Sequence, residues 1–557
     1  MAKGFVPKES ILITWTATTG TEPSLAILRG RLSRYTVSQV LVALSQVAGV
    51  LKTWRNDPDH KLDHRLQEEL LPSHIQAIKR FRTDKHIVFG RISLLYVAKQ
   101  ACIACLPDTE ALEQPADMES IFSCCLIAND LIAERFATRA DSTIERAATL
   151  LPLASYIPHE STYPRDLARS LLIFEEIAPQ LRGTAGYRDL IVDFSEATGV
   201  LPQEFCELAF AASIRYLLKE LPAGESFVLG KNYLQREGVQ PDHIQAFFNK
   251  SSCTTGDLQA FARRQESLGA DFLVFQRHPL VQVNGANYIC LDPGFLLDKC
   301  GKSLYWTLHD AQSPDQRHQL LTYWSSLIER YVHWLFDKTY QGRGTTIPSP
   351  RFSNGDEAFD FAVLEGSRLV VIEVKASILT VQAKYGFSAR VLGEELHRKA
   401  ISGEHGERKG VAQLHQSLRR FLGGDGLPGI NMRSVKTIYP VLVFLDRGFT
   451  SPYLHELYNE HFDRNVLRRP AKRVITPLSA LTIDDLENSL PYTNKHGLTE
   501  ILDSYWGRNR NVPPEQRQFR VPILDDEEPG KDIARARLSK FGDDFQGVTK
   551  SDGDHGV

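Results

Sequence analysis

The chain has 557 residues, of which 42% are apolar and 24% charged, and its formal charge is -3. This is a globular composition with room for about two to four domains of roughly 100–200 residues, and it leaves no overall basic excess for nucleic acid, so any such binding has to come from local patches or from a metal. No stretch reaches the roughly 18 uninterrupted apolar residues of a membrane span, Met1–Ser10 lacks a secretory apolar core, and eight cysteines in so long a chain make no disulfide framework. The expectation is a soluble cytoplasmic protein with reduced thiols and no membrane partner.

Residues 1–30 are mixed, with a strand predicted at Ile11–Trp15. From Ser33 the apolar residues Val37, Val40, Leu41, Leu44, Val47, Ala48 and Leu51 recur at helical spacing. Further helical segments follow near 62–82, 86–105, 117–137, 140–151, 164–178 and 200–219, without a repeat period. Residues 1–250 therefore read as a mainly helical region, expected to bind a partner protein or to form a homo-oligomer. In 251–315 the character changes. Phe272-Leu273-Val274-Phe275 and Pro279-Leu280-Val281-Gln282-Val283 lead through Asn284-Gly285, a strong hairpin signal, into Tyr288-Ile289-Cys290-Leu291, which predicts a small β-containing module.

A helix over Asp315–Tyr340 carries Leu320, Leu321, Trp324, Leu327, Ile328, Tyr331, Val332, Leu335 and Phe336 on a broad apolar stripe, with Glu329 inside it. Next come two apolar runs around Gly366-Ser367, interrupted by Asp360, Glu373 and Lys375. If Gly366 supplies the positive φ of a two-residue turn, Glu365 pairs with Arg368 and, counting back along the ladder, Asp360 with Glu373. Asp360, Glu373 and Lys375 then share one face with Ala358, Ala362, Leu364, Leu369 and Val371, while Phe359, Phe361, Val363, Val370, Ile372 and Val374 fill the other. Both faces are apolar enough to be buried. Ions in such a place cost several kcal/mol each unless they neutralise one another or hold a metal.

After a polar segment at 384–408, a helix near 409–422 carries Gln413, and the turn Gly423–Gly429 leads to a strand at Ile438–Leu445. A helix at 451–466 and a strand at Arg473–Leu478 complete an α/β unit over 316–480. A C-terminal helical segment over 481–524 and a disordered tail over 525–557 follow. The fold class expected is multidomain α+β, a helical N-terminal region followed by an α/β core.

Asp360, twelve intervening residues and then Glu373-Val374-Lys375 resemble the D…ExK signature of the PD-(D/E)XK nuclease superfamily, which includes restriction endonucleases and RecB-like nucleases. The resemblance covers roughly 316–480 and implies a restriction-endonuclease-like core, a mixed central sheet flanked by helices. Glu329 is similar to the helical glutamate that such nucleases add to the metal site, and Gln413 to the glutamine that RecB-like members place beside the catalytic face. The chain departs from the pattern where no proline precedes Asp360 and where Ser417 stands in the place of a tyrosine. The implied activity is Mg²⁺-dependent phosphodiester hydrolysis, with Mn²⁺ able to substitute, on nucleic acid and on family grounds DNA, in defence against foreign DNA such as phage or in DNA processing. Hard divalent cations take carboxylates, carbonyls and water. Asp360, Glu373, the carbonyl of Val374 and, through water, Glu329 would supply that shell, with Lys375 orienting or deprotonating the attacking water. The alternative is a catalytically silent nucleic-acid-binding or scaffold protein that retains the fold.

Two basic clusters are candidates for phosphate contacts: Arg464, Arg468, Arg469, Lys472 and Arg473, and Arg398, Lys399, Arg408, Lys409, Arg419 and Arg420 around the Gln413 helix. Cys102, Cys105, Cys124 and Cys125 have a zinc-like spacing, but their apolar surroundings read as helix interiors. Gly301-Lys302-Ser303 lacks the earlier glycine of a P-loop, since position 296 is leucine, and His455-Glu456 is followed by His461, which is the wrong spacing for a zinc protease.

Overall fold

The structure, a computed structural model, describes residues 11–509 apart from 53–59, 84, 110–115, 138–139, 157–162, 218–226, 231, 236–238, 286, 341–342, 405–406, 465–466 and 468–472. The expected tail at 525–557 lies outside the described residues. The architecture is mixed α+β.

The N-terminal region is helical as its periodicity predicts, with local differences that follow from chain breakers. The segment expected at 62–82 is two helices, Lys61–Leu70 and Ile75–Phe81, divided around Pro72. The strand expected at Ile11–Trp15 is only Ile11–Leu12, paired with His86–Ile87, because Thr14 caps a short helix that starts at Trp15. Two helices of this region pack against the C-terminal half of the chain, α1 (Thr143–Ala154) and α2 (Tyr163–Leu172).

The hairpin around Asn284-Gly285 forms, with Leu280–Gln282 antiparallel to Asn287–Cys290. It belongs to a four-stranded sheet completed by Leu229–Gly230 and Ser252–Thr254. Phe272–Phe275, whose run of apolar residues leaves strand and helix indistinguishable, lies at the start of a short helix, Leu273–Arg277.

A 26-residue helix, α3 (Pro314–Thr339), opens the sheet-bearing unit, started by a Ser313–Gln316 capping box with Pro314 at its first turn. The main sheet then builds in order: β1 (Thr345–Pro348), β2 (Phe361–Glu365), β3 (Arg368–Lys375), β4 (Thr437–Phe444), β5 (Val474–Ile475) and β6 (Ser479–Thr482). β1, β2 and β3 form an antiparallel meander, β4 runs parallel to β3, and β5 and β6 both pair parallel with β4. Sequence periodicity predicts one strand at Arg473–Leu478. Pro477 cannot donate to the ladder, so the chain pairs before it and again after it. The polar segment at 384–408 is largely helical, as Val381–Tyr385, Ala389–Leu396 and His397–Ile401. Behind it lies α4 (Gly410–Gly423), and the C-terminal helices α5 (Ile483–His496) and α6 (Leu498–Asn509) end the described chain.

The two sheet faces bury different partners. Ala362, Leu369 and Val371 pack with Val411, Leu414, Leu418 and Phe421 of α4, and with Ala147, Ala148 and Leu151 of α1. Phe361, Val363, Val370, Ile372 and Val374 pack with α3, α5 and α6, in a cluster that also holds Leu167–Phe174 and residues of the small sheet. The helical region and the sheet thus share their cores. Phe359, expected on the second face, packs instead with Ala358 and Ala362, because it precedes β2 and strand alternation does not extend to it.

Where α2 meets α5 the apolar interface gives way to ions. Arg169, 8% exposed, donates to both oxygens of Glu487 at 2.6 Å and also reaches Asp484. Tyr331 of α3 donates to Glu487 Oε1 at 2.6 Å, and Arg447 donates to Asp484 at 2.5 Å. Burial alone would raise the Asp484 carboxyl, but Arg447 and Arg169 hold it well below the usual value. Removing Arg169 would leave Glu487 to Arg165, 3.1 Å away, and Asp484 to Arg447, so the loss is at the low end for breaking a buried pair, about 3 kcal/mol. Arg169→Ala is expected to lower unfolding stability by that amount in urea titrations followed by circular dichroism, and a loss under ~1 kcal/mol would show that α2 is held by its apolar contacts alone.

Candidate active site

The β2–β3 hairpin has the register that the turn predicts. Glu365 pairs with Arg368 and Phe361 with Ile372, and Gly366 takes φ +62° at the head of the turn. Asp360, one residue before β2, therefore ends up beside Glu373-Val374, and its Oδ2 accepts a hydrogen bond from the Val374 N–H at 2.6 Å. In an extended strand the N–H and C=O of one residue face the same neighbour. The Val374 carbonyl accordingly faces the Asp360 side, whereas the Lys375 carbonyl faces β4 and accepts from the Leu445 N–H at 3.0 Å.

Glu373 is fully buried and Asp360 is 8% exposed. The Lys375 ammonium donates to Glu373 Oε1 at 2.6 Å and to Gln413 Oε1 at 3.2 Å. Gln413 reaches it because α4 starts where it does. Gly410 has φ +54°, and a Cβ there would lie 1.8 Å from the Ala400 carbonyl oxygen, so only glycine lets the helix begin against the preceding turn. Glu373 Oε2 is buried without a hydrogen-bond partner among the described residues. An orphaned carboxylate oxygen in such a place costs about 1–3 kcal/mol or more.

Electrostatics follow from this crowding. Burial pushes the Glu373 carboxyl up to about 8, with Lys375 pulling it back and Asp360 pushing the same way as burial. Burial works against the charge of Lys375, but Glu373 and Asp360 outweigh it and hold the amine above its usual value, as an ammonium. Glu329 of α3 is raised to about 7, by burial first and then by Asp360, against the opposing pull of Lys375. The five candidates Glu329, Asp360, Glu373, Lys375 and Gln413 are therefore brought to one locality.

Two neighbours were not anticipated from the sequence. His333, one turn after Glu329 on α3, donates from Nε2 to the Asp360 carbonyl at 2.8 Å, and burial depresses its basicity. Glu357 is raised by burial and by the Asp360 charge. The four-residue spacing from Glu329 to His333 on one helix face was the available signal for the first. For Glu357 the sequence carried none, since it lies in an irregular approach to β2.

No family model, curated protein or solved structure matches this chain. Among the described residues no group of three or more His, Cys, Asp or Glu side chains stands arranged around a cation. In this conformation the Asp360 carboxylate is turned to the Val374 amide and one oxygen of Glu373 to Lys375. Cys102, Cys105, Cys124 and Cys125 are free and buried, and burial raises Cys105 and Cys124 to about 12, as befits core thiols. No helix of the described residues is long and apolar enough to cross a membrane.

The basic clusters divide. Arg473 donates to the Val435 and Met432 carbonyls at 2.9 Å, and Arg464 is described, while Arg468, Arg469 and Lys472 lie outside the described residues. Around α4, Arg398 and Lys399 pair with Glu395, Lys409 with Glu407, and Arg420 with Asp356 and Asp425.

Because Glu329 and Glu373 titrate at about 7 and about 8 against an ordinary value of 4.5, the folded state binds their protons more tightly than the unfolded state. That stability is fully present below about 4.5 and is lost as pH rises through those two values. In EDTA, Glu329→Gln is expected to gain on the wild type between pH 5 and 8.5, by on the order of 1 kcal/mol once partial exposure is allowed for. Urea midpoints across that range measure it. A gap that stays constant would mean that Glu329 ionises like a surface carboxylate.

Proposed function

We propose that residues 314–482 are a metal-dependent nuclease of the PD-(D/E)XK type, cutting phosphodiester bonds in nucleic acid, with DNA favoured on the strength of the resemblance. The observation that carries the reading is the clustering of Asp360, Glu373 and Lys375 at the end of one buried hairpin, with Glu373 Oε2 left unpartnered. The order helix, antiparallel meander, helix, parallel strand over α3 to β4 supports it as a restriction-endonuclease-like core.

The donors fit a hard divalent cation, because they are carboxylate and carbonyl oxygens and one of them is buried with no partner. Asp360, Glu373, the Val374 carbonyl and, through water, Glu329 would hold Mg²⁺ or Mn²⁺, which when bound supplies charge neutralisation at the phosphate and at the leaving oxygen. Lys375, held as an ammonium, offsets the phosphate charge and orients water more readily than it removes a proton. Glu329, raised to about 7, is the group on this chain suited to take up the proton of the attacking water near neutrality. The water oxygen bonds to phosphorus, the bond to the leaving oxygen breaks, and that oxygen takes a proton from solvent. Gln413 keeps the Lys375 side chain extended toward Glu373. DNA processing and defence against foreign DNA are the settings in which such an activity belongs. A role as a silent binding or scaffold protein would be favoured only by a failure of turnover.

The decisive assay incubates the full chain with plasmid DNA, linear DNA and RNA in Mg²⁺ or Mn²⁺, beside Asp360→Ala and Lys375→Ala. Wild-type cleavage that falls at least ~100-fold in each variant is expected. Cleavage that survives both changes would remove the assignment, and no cleavage of any substrate by the wild type would favour the silent reading. A second measurement follows from the raised carboxyls. Mn²⁺ affinity by calorimetry should rise roughly tenfold or more from pH 6 to pH 8, as Glu329 and Glu373 give up their protons, and Glu329→Gln should flatten that rise.

A further inference from the structure

The outer side of α4 borders an open groove of about 660 Å³. Arg408, Arg419, Arg420, His415 and His461 supply its basic groups, Ser402 and Gln416 its neutral polar ones, and Asp425 is the one carboxylate among its lining residues. Ion pairing sorts the cations of this helix. Arg420 is committed to Asp356 and Asp425, and Arg398, Lys399 and Lys409 each have a carboxylate partner. Arg408 and Arg419, both exposed, have no ion-pair or hydrogen-bond partner among the described residues. Of six basic residues around this helix, the two that remain uncommitted both open into this groove.

From these contacts we infer that the groove seats the phosphodiester backbone of a nucleic-acid strand, with Arg408 and Arg419 as its phosphate contacts. The inference rests on the nuclease reading, since it names where the strand to be cut is held. Dimensions favour a polymer over a single phosphate. Arg408 precedes the first turn of α4 and Arg419 lies in its last turns, so at 1.5 Å per residue they are separated by ~15 Å along the helix axis. A duplex strand presents a charge about every 3.4 Å of axis, so several phosphates span that separation. Gln413, which accepts from Lys375, lies three residues before Gln416 of the groove lining, so on α4 the two are neighbours. A strand in the groove would therefore run beside the edge of α4 that reaches Lys375. Arg420 ties the groove to the approach of Asp360 through Asp356, at 2.9 Å, four residues upstream in the chain.

Binding can be separated from turnover by working in EDTA. Fluorescence anisotropy of labelled single-stranded and duplex oligonucleotides, DNA and RNA in parallel, is followed as salt is raised, with inorganic phosphate as the competitor. The full chain is compared with Arg408→Ala/Arg419→Ala, Arg408→Lys/Arg419→Lys and Asp360→Ala. The expected results are at least a tenfold loss of affinity in the double alanine protein, and a slope of log K against log salt shallower by about 1–2. The double lysine protein should keep the wild-type slope, and millimolar phosphate should compete weakly. Preference for DNA or for RNA identifies the strand. An unchanged slope in the double alanine protein, an equal loss in the lysine protein, or no binding of either nucleic acid by the wild type would each overturn the inference. Because Asp360→Ala binds without cutting, a groove that binds in a protein that never cleaves would leave the inference standing and remove only the nuclease reading.

Discussion

A carboxylate with no exposure, paired to an ammonium two residues later in the same strand, is the constraint around which the sheet-bearing unit is arranged. Glu373 and Lys375 occupy the end of β3, which is flanked by β2 and β4 and covered by helices on both faces. Glu373 has no access to water there and Lys375 only a little, so each draws a partner from the protein. Lys375 satisfies one oxygen of Glu373, Gln413 takes a second proton of Lys375, and Asp360 turns to the Val374 amide. One oxygen of Glu373 is still left over. A fold built only for stability would place an apolar residue at 373, since replacing buried ions by well-packed hydrophobic side chains is commonly neutral or stabilising.

The surroundings of this pair are shared between parts of the chain far apart in sequence. α1 packs on the same sheet face as α4, and α2 locks to α5 through Arg169. Tyr156, just after α1, stacks on Tyr385 with ring centroids 5.5 Å apart, and its hydroxyl accepts from the Phe272 N–H at 3.1 Å. Tyr385 follows Lys384, which pairs with Asp446 at the end of β4. Residues of the helical region, the segment leading to the small sheet and the ends of β3 and β4 thus meet at one joint.

How much of this was legible beforehand depends on the kind of information each residue carries. Gly366-Ser367 between two apolar runs sets the turn, the turn sets the register, and the register brings Asp360 next to Glu373. All of that is local, with a period of two, and it survives unchanged in the structure. Helix periodicity likewise placed α3 and α4, and with them Glu329 and Gln413. The strand at 473–478 failed because the pattern of apolar residues ignores the missing N–H of Pro477. Phe359 failed because alternation was carried two residues upstream of the start of β2.

What the sequence by itself determined is therefore the hairpin and the identity of its charges, because turn chemistry and side-chain alternation act over a few residues. Only the tertiary structure decided which charges are free and which are committed. Arg408 and Arg419 look no different from Arg398 and Arg420 in a linear chain, and Glu365 looks like any turn carboxylate until it is seen to cap α6, accepting from the Leu498 N–H at 2.7 Å. His333 became a neighbour of Asp360, and Arg169 a counter-ion for Glu487, across separations of 27 and 318 residues. Such pairs depend on distances set by packing of the whole core, and no local period encodes them.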